Sequence, residues 1–584
     1  MSANGSVSVE VGPRYKWVAL SNTTLGILMA TINANIVLIA LPAIFNGIGI
    51  NPLAPGETNY LLWMLLGYMV VTATLLVTFG RISDMLGRVR LYNLGFAIFT
   101  AASILLFLTP GKGNTAALEL IIFRMIQAVG GSFLQANSTA ILTDAFPVRQ
   151  RGTAMGINLV AGIIGSVLGL ILGGILAAIN WRYVFLVNVP FGLFGTIWAY
   201  LKLRETSQPN KGQKIDWLGN ITFFVGLVVL LLALTYGIEP YGTAPVGWGS
   251  PYVITGIIIG IVLLALFVFI ETRVPDPMFR LHLFKNRAFS IGALCNFLSG
   301  LARAGLQFML IIWLQGIWLP LHGYSYADTP LWAGIYILPM LVGSIIFGPI
   351  SGVLSDRIGA KLLATTGLFL QMAGFLLLTL LPANFDYIWF AVLLALMGLA
   401  QGLFQVPNTT SLMNSVPADQ RGTASGMNAT TTNAAAVMSL AVFFSIVTLG
   451  LAASLPATLS AGLIHAGLPA TISNQIAHLP PIAALFAAFL GYNPMATLVP
   501  KAALQLLPAA SRANILGKSF FPNLISGPFM TGLHAVFYLA AALCLVSAIA
   551  SLFRGKRFVY GEAPESAESL EALEEGAPIL SGEL

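Results

Sequence analysis

Fourteen stretches of roughly 20 mostly apolar residues run through this chain, and a stretch of that length crosses the hydrocarbon core of a bilayer as a helix. They lie near 17–46, 59–79, 92–109, 116–142, 153–179, 184–203, 217–236, 252–271, 287–318, 329–354, 361–381, 388–414, 423–451 and 530–553. In lipid a backbone must satisfy its own hydrogen bonds, which dictates helices for such segments. The expected fold class is an all-α integral membrane protein with 14 transmembrane helices. Composition agrees: 57% of the 584 residues are hydrophobic and 8% are charged, against about 25% charged in soluble domains. A soluble protein would lack polar cover for its surface, and a disordered chain would lack this apolar excess. No basic patch stands behind the net charge of +7, so no nucleic-acid partner is expected. Residues 1–16 are polar and the first apolar stretch is long enough to span, so no cleaved leader is expected.

Lysines and arginines set the expected orientation, because cytoplasmic loops collect them. With a cytoplasmic N-terminus, 21 of the 28 fall on that side. They run from Arg14 and Lys16, through Arg81, Arg88, Arg90, Arg149 and Arg151, to Arg554, Lys556 and Arg557. Only Lys112, Arg182, Lys501, Arg512 and Lys518 fall outside, and Arg124 and Arg303 lie within spans. Both termini are thus expected in the cytoplasm, and the plasma membrane is the expected location. The stretch 452–529 is broken by Pro480, Pro481, Gly491 and Pro494. It reads as one extracytoplasmic insertion with short helices at the membrane surface, a lid or lipid-contact element or simply a decorated loop. The end, 558–584, carries seven glutamates from Glu562 to Glu583 and reads as a solvated acidic cytoplasmic tail.

The chain repeats itself. Gly80-Arg-Ile-Ser-Asp84-Met-Leu-Gly87-Arg88 matches Gly352-Val-Leu-Ser-Asp356-Arg-Ile-Gly359-Ala at an offset of 272 residues. Gln150-Arg151-Gly152-Thr153-Ala154 matches Gln420-Arg421-Gly422-Thr423-Ala424 at an offset of 270. Two pairs in matching places indicate two homologous six-helix halves, 1–204 and 284–557, with two inserted linker helices in 205–283. Repeated helical halves are the architecture of alternating-access transporters, with the substrate between them.

The segment Gly80–Arg90 resembles the cytoplasmic loop signature of the major facilitator superfamily. Arg124-Met-Ile-Gln127-Ala-Val-Gly130-Gly131 resembles that superfamily's fourth-helix motif. Gly165-Ser-Val-Leu-Gly169-Leu-Ile-Leu-Gly173-Gly174 is similar to its fifth-helix antiporter motif, with Leu170 where proline is usual. The run from Asp276 to Phe289 resembles a loop of its fourteen-helix multidrug:proton antiporter branch. The resemblance implies proton-coupled export of hydrophobic or amphiphilic small molecules by a monomer, with export of an endogenous lipid or metabolite as the alternative.

It also implies roles. Gly80, Asp84, Gly87, Arg88 and the repeated Asp356 would form a cytoplasmic gate. Asp84 can meet a helix N-terminus and a cation such as Arg88. Arg124 would take part in proton coupling, with Gln127 one turn away as its neighbour and Glu119 as the nearest carboxylate. Gly165, Gly169, Gly173 and Gly174 would form a close helix-packing seam. The substrate cavity would draw on Asn33, Arg303, Gln307, Gln401, Gln405 and Asn408, among other amides of the spans such as Asn158, Gln315 and Asn428. Asn33 stands where the family usually has aspartate, and asparagine does not titrate. No Asp or Glu lies deep in any of the fourteen stretches. Either Glu119 carries the proton, or the substrate is neutral or anionic and coupling takes another route.

No enzyme, metal or cofactor is expected. His282, His322, His465, His478 and His534 are not paired at ligand spacing, and Cys295 and Cys544 lie singly in apolar runs. The phosphate-binding loop Gly-x-x-x-x-Gly-Lys-Ser/Thr is absent, which argues against ATP as the energy source.

Overall fold

In the computed structural model of the chain, the described residues are 14–50, 58–147, 150–205, 216–274, 277, 279–326, 328–417, 420–490 and 493–555. The acidic tail and Asp276 lie outside them. Fourteen of the described helices are long and apolar enough to cross a membrane. They are α1 (Tyr15–Ile48), α2 (Leu62–Leu86), α3 (Arg88–Leu108), α4 (Gly113–Ala145), α5 (Arg151–Ile179), α6 (Tyr183–Lys202), α7 (Trp217–Tyr236) and α8 (Pro251–Glu271). They continue with α9 (Arg287–Leu321), α10 (Thr329–Ile358), α11 (Ala360–Leu378), α12 (Tyr387–Asn414), α13 (Arg421–His465) and α14 (Phe520–Leu552).

The halves meet along two seams, α2 against α13 and α5 against α10. The repeat makes α10 the counterpart of α2 and α13 the counterpart of α5, so the two seams are copies of one contact. The linker helices form a hairpin at the periphery. Gly226 sits against Leu263 and Gly260 against Leu230, which lets α7 and α8 approach closely. Of the fourteen, α8 is the most apolar and the least buried, as a lipid-facing helix must be. Asp216 caps α7 by accepting from the Gly219 amide at 2.8 Å, and Trp248 ties the hairpin to α13 through Ser445 Oγ at 2.8 Å.

Two expectations need correction. The segment 80–90 is not a loop: α2 runs to Leu86, α3 starts at Arg88, and Gly87 alone makes the turn at φ 111°. Only glycine takes that backbone region cheaply. The insertion is also shorter than 452–529, because α13 continues to His465 and α14 begins at Phe520. Its helix Pro481–Leu490 is not exposed on the outside of the protein but packed among other helices. Ala484, Leu485, Phe486, Ala487 and Ala488 are all buried. Phe486 meets Phe444 of α13 at 5.8 Å between centroids, and Gly316 of α9 has room for no more than a hydrogen against Ala488. The run Ile482–Leu490 is too short to span, and it satisfies its apolar character by packing against α9 and α13. At that contact α9 carries a π-helical turn, Leu314–Trp318.

Candidate functional site

Helices α5 and α13 start without a side-chain cap of their own. The first amides of a helix lack partners and carry its positive end. Here each start is capped by a carboxylate of the opposite half. Asp84 of α2 accepts from the Thr423 amide at 2.8 Å and from its hydroxyl at 2.9 Å. Asp356 of α10 accepts from the amides of Gly152 and Thr153 at 3.2 and 3.3 Å. Glycines permit the approach. A Cβ on Gly80 would stand 2.6 Å from the Gly422 carbonyl oxygen, and one on Gly152 would stand 2.6 Å from the Gly352 oxygen.

Around Asp84 lies a charge cluster. Arg88 donates to Asp84 Oδ1 at 2.9 Å from Nε and 2.7 Å from Nη2. Arg88 also pairs with Asp144 at the end of α4, and Arg421 of the other half reaches Asp144 at 3.2 Å. The second copy is less charged. Arg151 Nη1 donates to Asn414 Oδ1 at 2.9 Å, and Asn414 lies 270 residues after Asp144. Asp144, Arg421, Thr423, Gly152, Gly422, Arg151 and Asn414 were not assigned to the gate from sequence. The signal was present: five of these seven residues belong to the second repeated motif. Outside the spans, Glu205 accepts from the Arg88 and Val89 amides at 2.9 and 3.0 Å. Burial pushes its carboxyl up, and those amides pull it back.

Arg124 is buried within the first half. Its guanidinium lies 4.8 Å from the Tyr68 ring centroid and donates to Gln127 Oε1 at 3.4 Å. Gln127 donates to Ser103 at 2.9 Å. Asn33 Oδ1 accepts from Asn188 at 3.3 Å. Asn33 is thus fully buried against α6, within the first half. Glu119 stands apart. Five residues separate it from Arg124, about 140° around the helix, and its Oε2 has no hydrogen-bond partner.

Between the halves, two amide pairs bridge in mid-span. Gln307 of α9 donates to Asn35 of α1 at 2.9 Å, and Asn433 of α13 donates to Gln135 of α4 at 3.0 Å. Arg303, Gln307, Gln401 and Gln405 are partly exposed. An amide or guanidinium facing hydrocarbon is costly, so such groups face the protein interior or a wet cavity. Gln405 also contacts Thr409 at 3.5 Å. Asn408 differs: it is fully buried, donates to the Gly292 carbonyl at 3.1 Å and accepts from Arg554. It ties α9, α12 and the end of α14 together inside the second half, a correction to its expected place in the substrate cavity. Gln135 and Asn433 were missed by sequence reading. Polar residues in apolar spans were the available signal, but many amides share it.

The glycine seam packs α5 on α1. A Cβ on Gly169 would stand 2.7 Å from the Ile32 carbonyl oxygen, and one on Gly173 would stand 2.9 Å from the Ile36 oxygen. Gly165 approaches Leu28 in the same way, while Gly174 faces Leu331 of the other half. Because these neighbours are backbone, Gly169→Ala forces the helices apart. The expected loss is about 1–3 kcal/mol, read as a lower midpoint of thermal unfolding in detergent.

Comparison with known proteins places this architecture. The sequence profile of the Major Facilitator Superfamily matches residues 23–440. The multidrug transporter protein MdtP of Bacillus subtilis (strain 168) is 27% identical over 85% of this chain and 86% of its own length. The riboflavin transporter RibZ of Clostridioides difficile (strain 630) is 28% identical over 74% of this chain and 88% of its own. Among solved structures, the proton:xylose symporter XylE superposes with a TM-score of 0.52 at 16% identity, covering 84% of this chain and 97% of that one. Two repeated halves, latched across each other at one end with a polar seam between them, and a profile match over most of the chain lead to one assignment: the chain is a transporter of the major facilitator superfamily.

Proposed function

We propose that the protein exports hydrophobic or amphiphilic small molecules against inward proton flow, by rocking its two halves about the polar seam. Its place is the plasma membrane, with both termini and the latch on the cytoplasmic side. The observation that carries this reading is the exchange of caps: each half closes one end of the molecule by capping a helix of the other, a contact that must break for the chamber to open there. A contact between halves that exists in one state only is what alternating access requires. The multidrug relative supports the substrate class, and the bridging amides Gln307, Asn35, Asn433 and Gln135 supply neutral hydrogen-bonding groups for varied cargo. Arg124 and Gln127 are the coupling residues, Gly165 to Gly174 keep the first half sealed, and the protein works as a monomer.

The test is expression in a drug-hypersensitive host that lacks its own pumps, with a panel of cationic, neutral and anionic compounds. Resistance that collapses with a protonophore is expected. Resistance to no compound, with the protein at the membrane, counts against the export reading. Glu119 has its own test. If it carries the proton, Glu119→Gln abolishes gradient-driven transport in vesicles, and unchanged transport removes it from the mechanism.

A further inference from the structure

The two guanidinium groups deep in the spans are used differently. Arg124 is enclosed by Tyr68 and Gln127 inside one half. Arg303 has neither a hydrogen bond nor an ion pair among the described residues. Its position on α9 shows where it faces. Four residues on, Gln307 donates to Asn35 of the opposite half. Seven residues back, Asn296 donates to Asn428 and Thr432 of α13, both at 2.8 Å. Positions four and seven apart share one helix face, so Arg303 lies on the face of α9 that turns from α13 toward the other half. It is partly exposed there. An arginine in mid-span, without a partner among the described residues, turns its charge toward the interface between the halves, where a transporter of this build opens its chamber.

Nothing nearby neutralises it. Asp84 and Asp144 pair with Arg88 and Arg421 at the latched end, far along the chain and the helices from Arg303. At the opposite end, the stretch 452–529 contains no Asp or Glu but carries Lys501, Arg512 and Lys518, all exposed. These cations share that end with Glu239, Asp328 and Asp386, so the pull on an anion comes from the mid-span charge of Arg303 itself.

We infer that the cargo is an anionic amphiphile, whose acidic head group is bound by Arg303 with Gln307 beside it. This rests on the transporter reading above and names the substrate class of that same chamber. It departs from the lipophilic cations expected of a multidrug pump, which call for a carboxylate in the site.

The test uses the full chain in phosphatidylcholine nanodiscs with three probes on one scaffold: a dansyl-labelled undecanoic acid, its primary amide and its trimethylammonium analogue. The acid is expected to bind roughly tenfold tighter than the cation, with the amide between them. Arg303→Gln removes that preference, and Arg303→Lys keeps part of it. Should the glutamine variant not fold, the lysine variant and the three-probe comparison on the unaltered chain decide. Equal or tighter binding of the cation, no binding of the acid, or an acid preference that persists in Arg303→Gln overturns the inference. Proteoliposomes with an imposed proton gradient separate it from the reading beneath. Accumulation of the cation alone overturns the anionic cargo and upholds transport. Acid-selective binding without accumulation of any probe upholds the site and overturns gradient-driven export.

Discussion

Asp84→Asn should open the latched end and lower transport by about a hundredfold or more, the scale set when one partner of a buried ion pair is removed at about 3–5 kcal/mol. Asp84 holds the Thr423 amide and hydroxyl of the opposite half and both Nε and Nη2 of Arg88. Asparagine keeps the shape but loses the charge that faces the helix start and the guanidinium. The effect falls on the closed state, because these contacts join the two halves. A cysteine introduced as Ala429→Cys, on α13 beside Leu76 and Ala136, reads the gate. Its labelling by an impermeant maleimide should rise in the Asp84→Asn background, while Cys295 and Cys544 stay buried. Unchanged labelling and transport would show that the pairing does not hold the gate. Asp356→Asn should cost less. Its bonds to Gly152 and Thr153 are longer, and Ala360 stands where the repeat would place an arginine.

Arg124→Gln should leave binding intact and abolish uphill accumulation. One charge moved through 100 mV is worth about 2.3 kcal/mol, so each coupled proton supports a gradient of about fifty-fold. With the arginine gone, vesicles should bring internal and external substrate level and no further. The measurement is the accumulation ratio under an imposed gradient, beside the binding constant from the same preparation. A ratio that stays high would assign Arg124 to packing alone, through its contact with Tyr68 and its bond to Gln127. A drop in binding equal to the drop in accumulation would place it in the substrate site. Its enclosure by Tyr68 and Gln127 favours a role apart from direct cargo contact.

The fate of the amides shows how sequence reading succeeds and where it stops. Asn33, Asn408 and Gln307 look alike in sequence, each a polar residue in an apolar span. Folding separates them. Asn33 is sealed inside the first half with Asn188, Asn408 closes the base of the second half with Arg554, and Gln307 alone of the three bridges the halves. Helical periodicity says which residues share a face, but not which helix that face meets.

What the sequence determined by itself is the set of apolar spans, the division into two repeated halves and the clustering of cations on one side. These follow from the length of a bilayer crossing and from counting, and no neighbour is needed to read them. Tertiary structure decided the partners. It showed that each gate carboxylate caps a helix of the other half, that the helix at 481–490 packs inward, and that Arg303 has no partner among the described residues while Arg124 is enclosed. The cross-half caps depend on glycines that let backbones from distant parts of the chain approach more closely than a Cβ would allow. Such contacts depend on two surfaces at once, and one stretch of sequence describes only one of them.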